Sequence, residues 1–304
     1  MKTISGKNIS ISESINEGIL SSTKSGRETL IADFCNSYLY QRSFQMNPDM
    51  SINLIIKSVY EFFDVPDIPV WIKEAECDIQ IKNCGITHFY LPAKGKKIII
   101  EDCNKLEKIE TKTASELEEL IIKNCDNVDL SSLKELKVKK IRIFKCGITT
   151  MKGIECAERI INIRSCKKLR TYDLDNKNNC ILVIENCPIK VFATPLSSSD
   201  VTLVNLKKSS KLDIKIGNVD DFRLEECSDV EDIKISGSNI QTVVISDCEV
   251  LDSVNIDINC KTSLSFVKLP KIKTYEIKNQ SGVCVFEEVA SVPENIVCKK
   301  KLIR

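Results

Sequence analysis

Residues 117–128, LEELIIKNCDNV, decide the fold. Leu120 and Ile122 lie two apart, with Ile121 and Lys123 between and after them, and a period of two is that of a strand with one buried face. Leu117 opens the stretch, Cys125 closes the strand, and Val128 supplies a further apolar residue three positions on. The same cysteine position recurs along the chain. Cys84, Cys103, Cys125, Cys146, Cys166 and Cys187 are separated by 19, 22, 21, 20 and 21 residues. Leu206 stands in the next place, Cys227 and Cys248 follow 21 apart, and Leu269 and Val289 keep the phase. A fixed period near 20 residues over most of a chain is the mark of a solenoid, in which each coil buries its apolar face against its neighbours.

Each ladder residue follows an alternating segment, as in IQIKNC, IIIEDC, IRIFKC, INIRSC, LVIENC and VVISDC. A further apolar residue comes two or three positions later, at Leu106, Val128, Ile148, Leu169, Ile189, Val230 and Leu251. This pattern, L-xx-L-x-L-xx-(N/C)-xx-L, resembles the leucine-rich repeat over residues 76 to 292. The resemblance implies a mainly β, α/β solenoid of about eleven repeats of 19–22 residues, with one parallel strand per repeat in a curved sheet. So short a return path has no room for a full helix and is expected to be extended or to carry single 3-10 turns. A right-handed parallel β-helix of similar turn length is the structural alternative.

The resemblance gives the ladder residues Cys84, Cys103, Cys125, Cys146, Cys166, Cys187, Cys227 and Cys248 an inward, structural role, helping to satisfy backbone groups in the turn after each strand. A small thiol with weak hydrogen-bonding capacity suits that place. Metal or redox chemistry asks for C-xx-C clusters or partner histidines. The chain has one histidine, His88, no C-xx-C, and seven further cysteines without ligand spacing. No metal and no cofactor are expected. An odd total of 15 cysteines in a lysine-rich chain also reads as reduced thiols and not as a disulfide framework.

Forty-four Lys and Arg against 43 Asp and Glu leave a formal charge of +1, which argues against a dedicated nucleic-acid binder. No apolar run reaches the ~20 residues needed to span a bilayer, so no membrane insertion is expected. Catalysis finds no footing either. A cysteine nucleophile needs a base, and His88 is placed on a loop beside a buried Cys84. AKGKK at 93–97 lacks the spacing of a phosphate loop.

Residues two and four positions before each ladder residue face outward. Among them Ile99, Ile121 and Phe144 form an apolar cluster on consecutive strands, with Arg142 and Arg164 beside it. Apolar residues rimmed by arginine have the composition of a protein interface. Isoleucine in a strand also follows from β-propensity alone.

The chain is expected to comprise a flexible leader (1–25), a helical N-terminal cap (26–72) and the solenoid (73–304). The cap rests on helical spacing at Leu30, Ile31, Phe34, Cys35, Tyr38 and Leu39, and again at Ile52, Ile55, Ile56, Val59 and Phe63, closed by Pro66 and Pro69. This layout resembles the leucine-rich-repeat effectors that bacteria inject into host cells by type III secretion, though the Leu-Pro pair of that family is missing from most repeats and follows the first strand at Leu91-Pro92. The resemblance implies export from the bacterial cytoplasm to the host cytoplasm and a host protein as partner. No catalytic domain is expected. The reading of the whole is a non-catalytic scaffold that binds a host protein through its concave sheet, of unstated oligomeric state. The alternatives are an adaptor recruiting a ubiquitin-ligase subunit through the N-terminal helices, or an intracellular bacterial protein of another role.

Overall fold

A computed structural model describes residues 2–4, 8–11, 44–46, 51–57, 76–83, 85, 87–91, 94–111, 116–173, 180–194, 198–258, 262–278, 282–293 and 300–303. The chain divides into two units, Met1–Ile148 and Thr149–Arg304. Each is a parallel β-solenoid with coils of about 21 residues, about nine turns between them against the eleven repeats expected.

In the first unit, Asn8–Ile11, Ser51–Lys57, Glu76–Lys82, Lys94–Glu101, Glu116–Lys123 and Lys137–Phe144 stack as parallel neighbours in one sheet. A second face begins where His88–Leu91 pairs in parallel with Lys108–Thr111. The alternation read from the sequence fixes which side is buried. Ile98, Ile100, Leu120, Ile122, Ile141 and Ile143 are all fully buried. Each such side chain contributes about 1.5–3 kcal/mol of burial, enough for the inward column to dictate register.

Charge on the outward side alternates from strand to strand. Lys94 and Lys97 oppose Glu116 and Glu119 on the next strand, which in turn oppose Lys137 and Lys140. Lysine-rich, glutamate-rich and lysine-rich strands thus alternate, and side chains close the contacts: Lys97–Glu119 at 3.5 Å, Lys139–Glu118 at 3.0 Å and Arg142–Glu119 at 3.0 Å. The Lys139 hydrogen bond holds the Glu118 carboxyl below its usual range.

In the second unit, ladder strands run from Ala157–Arg164 through Cys180–Glu185 and Ser198–Val204 to the later halves of Lys211–Glu225 and Asp232–Ser246, then Ser263–Leu269, Val283–Val289 and Lys300–Ile303. A second parallel face links Thr171–Asp173, Val191–Thr194, the early halves of the same two long strands, Ser253–Ile258 and Thr274–Lys278. Aromatic residues stack from coil to coil beneath these faces, Tyr172 on Phe192 at 4.7 Å and Phe266 on Phe286 at 5.3 Å. The return path is therefore extended, with single 3-10 turns at Ser131–Glu135 and Ile154–Cys156.

Among the described residues of the expected N-terminal cap, no helix is found. Ser51–Lys57, expected in the second helix, is a strand paired with Glu76–Lys82. SINLIIK satisfies both periods, since Ile52, Leu54 and Ile56 alternate as well as Ile52 and Ile55 recur. The neighbouring sheet edge supplies backbone partners that an isolated helix lacks, and β-branched residues suit the strand. The first helix of the cap, with Val59, Phe63, Pro66, Pro69 and Trp71, lies outside the described residues. Within the expected flexible leader, Lys2–Ile4 and Asn8–Ile11 are strands, paired with Phe44–Met46 and Ser51–Lys57. His88, placed on a loop by the sequence, opens a strand instead.

Reversing the central charges in Glu118→Lys/Glu119→Lys would set three lysine rows side by side. We expect a loss of about 1–2 kcal/mol in urea unfolding, partly recovered at high salt. An unchanged midpoint at both ionic strengths would mean that the alternation is decorative.

Candidate protein-binding face

The corner after each ladder strand is made the same way every time. Asn83, Asp102, Asn124, Lys145, Ser165, Asn186, Asn205, Glu226, Asp247, Lys268 and Glu288 all adopt φ between 50° and 57°. Each stands one position before a ladder residue. One left-handed residue turns the chain sharply enough to end the strand, at a cost of roughly 1–2 kcal/mol for a side chain other than glycine. Asn and Asp bear that conformation best, and they also bond from coil to coil. Asn124 Nδ2 donates to Asp102 Oδ1 at 2.7 Å, and Asn205 Nδ2 to Asn186 Oδ1 at 2.7 Å.

Backbone groups at the corner are satisfied by the next coil. The N–H of Asp102 reaches Lys123 O at 3.0 Å, that of Asn124 reaches Phe144 O at 2.9 Å, and that of Asn205 reaches Glu225 O at 2.9 Å. The ladder thiols complete this network. Cys103, Cys125, Cys146, Cys187, Cys227 and Cys248 donate to the carbonyl two residues upstream at 3.3–3.4 Å. Cys187 Sγ also accepts the N–H of Cys166, and Cys227 Sγ that of Leu206, each at 3.4 Å. A thiol here both donates and accepts, whereas Leu206 and Leu269 fill the same space with carbon alone. Cys103, Cys125, Cys146, Cys166, Cys187, Cys227 and Cys248 are all buried free thiols. Cys84 lies outside the described residues. A hydrogen bond with the Cys146 thiol, and then burial, push the Cys125 thiol well above the ordinary range, and Cys227 does the same to Cys248. Cys125 and Cys248 are therefore poor nucleophiles, whereas hydrogen bonds with the Cys166 and Cys248 thiols hold Cys187 and Cys227 below the ordinary range. Among the described residues no three His, Cys, Asp or Glu side chains gather as a metal site.

With the inner side closed in this way, the outer side of the ladder strands is the surface on offer. In the first unit, Gln80, Ile99, Ile121 and Arg142 are successive register partners, as are Lys82, Glu101, Lys123 and Phe144. Ile99 and Phe144 are half-buried. Ile121, expected to face solvent, is only 6% exposed, because Ile99 and Arg142 flank it on both sides. Arg142 turns its guanidinium to Glu119 at 3.0 Å, and Lys82 holds Glu101 at 3.5 Å. The face is thus a short apolar row between paired charges. Arg164 belongs to the second unit, where it pairs with Glu185 at 3.1 Å and Asn162 at 3.1 Å. Four of the five expected face residues therefore share one surface.

Comparison with protein-family models, curated proteins and solved structures finds no match for this chain.

The corner residues escaped the sequence reading. Their signal was the run of Asn or Asp directly before the ladder position, in KNC, EDC, KNC, ENC, VNL and SDC.

Two outcomes test the corner. Asn124→Val forces a β-branched residue into the left-handed region and is expected to cost about 1–3 kcal/mol in chemical denaturation, with Asn124→Gly close to neutral. Cys187→Ala strands the Cys166 N–H and leaves a void, costing about 2 kcal/mol, and Cys187→Ser recovers part of this because a hydroxyl both donates and accepts. Equal losses for Ala and Ser would show that only volume matters there.

Proposed function

We propose that this chain is a non-catalytic scaffold that binds another protein through the outer face of its ladder strands. One observation carries the reading: Ile99, Ile121 and Phe144 lie on three consecutive parallel strands, framed by the Lys82–Glu101 and Arg142–Glu119 pairs. A sheet whose every strand is hydrogen-bonded on both sides is pre-organised, so docking on it orders few side chains. Paired charges at the rim give specificity, and the apolar row supplies the desolvated centre.

The repeat itself is best read as a leucine-rich-repeat variant whose return path is a second strand. The phase of LxxLxIxxC and the inward thiols support that reading, and the second parallel face supports the β-helix alternative. No helix among the described residues is long and apolar enough to cross a membrane. Export to a host cytoplasm as a bacterial effector rests on the resemblance of the layout, and the ten buried free thiols among the described residues suit a reducing compartment at either end of that route.

The test is affinity capture from candidate host lysate with the wild type and with Ile99→Asp/Phe144→Asp, both first checked for the same circular dichroism and melting. Ile121 is left intact because a buried aspartate there would unfold the coil. A partner held by the wild type and released at least about tenfold by the double variant is the expected result. Partners that bind both chains alike would move the site off this face.

A further inference from the structure

One edge of the second unit is basic over three successive coils. The stretches that begin at the ladder residues read CKKLRTY at 166–172, CPIKVFA at 187–193 and LKKSSKL at 206–212, with seven cations and no Asp or Glu. Lys167, Lys168, Arg170, Lys190 and Lys208 are exposed, and Lys207 is half-buried. Backbone hydrogen bonds hold the three turns side by side, Lys190 N to Arg170 O at 2.8 Å and Lys207 N to Cys187 O at 3.3 Å. Lys167 and Lys168 stand one and two positions after Cys166, as Lys207 and Lys208 do after Leu206. In the coil between, those two places are the buried Pro188 and Ile189, and the cation comes one residue later, at Lys190.

Elsewhere the cations of this molecule answer an acid on the neighbouring coil, as in Lys97–Glu119, Arg164–Glu185 and Lys268–Asp247. Lys211, the last cation of the basic edge, keeps that habit with Asp232 at 3.4 Å. The other six have no carboxylate within ion-pair distance among the described residues. Arg170 turns its guanidinium to a carbonyl of its own turn, Lys167 O, at 2.6 Å. Stacked coils repeat about every 4.8 Å, so these charges lie within a Debye length of one another and repel. Three acids border the edge. Asp173 and Asp213 are on the strands beyond the turns, the latter 3.9 Å from Lys215, and Asp229 accepts the backbone N–H of Lys208 at 2.8 Å. They leave the edge with a clear positive excess.

An unpaired positive edge fits a surface that carries many negative charges, and two details select among such surfaces. The aromatic residues of these coils, Tyr172 and Phe192, are buried and stacked on each other at 4.7 Å, so neither ring is offered to a nucleic-acid base. Val191, next to Lys190, is one of three large apolar residues left exposed among the described residues, at 37%. An apolar side chain among cations gains nothing from a phosphate or sulfate polymer. At a bilayer surface it enters the headgroup layer, while the lysine stems lie along it and their ammonium groups reach the lipid phosphates. A cluster of about four to eight Lys or Arg is the size that holds a protein to anionic lipid.

We propose that this basic edge docks the second unit on an anionic lipid surface, with its six unpaired cations against the headgroups and Val191 among them. The contact is peripheral and leaves every strand in its sheet. It is confined to three coils, because the same edge continues after Cys227 in Asp229, Glu231 and Asp232, which an anionic surface repels. It uses no residue of the protein-binding face of the first unit.

The experiment is co-sedimentation of the full chain with vesicles of phosphatidylcholine alone and with about 30% phosphatidylserine, at about 100 mM and about 500 mM salt. The expected result is binding to the anionic vesicles at least about tenfold tighter than to the neutral ones, and lost at high salt. Lys168→Glu/Lys190→Glu/Lys208→Glu should weaken that binding at least about tenfold. Lys105→Glu/Lys234→Glu/Lys271→Glu, which changes the net charge equally at exposed lysines elsewhere, should bind like the wild type. Circular dichroism and melting first establish that each chain folds. Val191→Ser should weaken vesicle binding and leave binding to soluble dextran sulfate unchanged. The proposal is overturned if the wild type ignores anionic vesicles, or if the two triple variants lose binding alike. Equal loss of vesicle and dextran sulfate binding in Val191→Ser, or none of either, would overturn the choice of a lipid surface over a polymeric anion.

Discussion

Everything in this molecule depends on one backbone event, the single left-handed residue that ends each ladder strand. The corners at Asn83, Asp102, Asn124 and their successors share nearly one φ, and at eight of the eleven the N–H at the bend meets the carbonyl of the next coil. Were one coil to turn a residue early, its inward isoleucines would face solvent, since strand period is two. The corner thus sets the phase of the core. The thiol behind it is small enough to sit within the bend and polar enough to bind the carbonyl that the bend leaves crowded. This explains a cysteine content that neither metal binding nor disulfide pairing requires.

Corners bring a second condition, close approach between coils. Gly147 follows the Cys146 corner, and a Cβ there would come 1.9 Å from Asp126 O of the preceding coil. Its N–H meanwhile reaches Cys125 O at 3.2 Å. Coil spacing at this point is set by backbone contact, with no side chain between. The same tight stacking brings Ile99, Ile121 and Arg142 into one outward row and leaves Ile121 covered. Docking chemistry on the sheet and packing within it are two sides of one spacing.

Much of this was legible in the sequence. The period, the inward column and the parallel strands followed from Cys125 and its equivalents, because alternation and a 21-residue repeat are properties of the chain alone. What was misread had a physical cause. In SINLIIK the apolar residues are dense enough to satisfy helix and strand periods together, and the choice falls to the sheet edge at Glu76–Lys82, which is remote in sequence. The exposure of Ile121 was misjudged because direction off a strand says nothing of how tall its neighbours stand. The Asn or Asp before six of the eleven ladder residues was visible and went unused, since a left-handed corner shows itself only once the strands on both sides of it are known.

The order of charged strands in the first unit has an evolutionary meaning. Repeat arrays gain and lose whole coils by slippage between similar segments. Removing the coil that contains Glu116–Lys123 would leave the apolar pattern intact, yet it would join Lys94, Lys96 and Lys97 to Lys137, Lys139 and Lys140 with no acid between. A duplication of that coil would set glutamate against glutamate in the same way. Single-coil edits are penalised there, while edits of two coils together keep the alternation. An edit compatible with this charge pattern therefore spans a pair of coils, twice the length of the structural repeat.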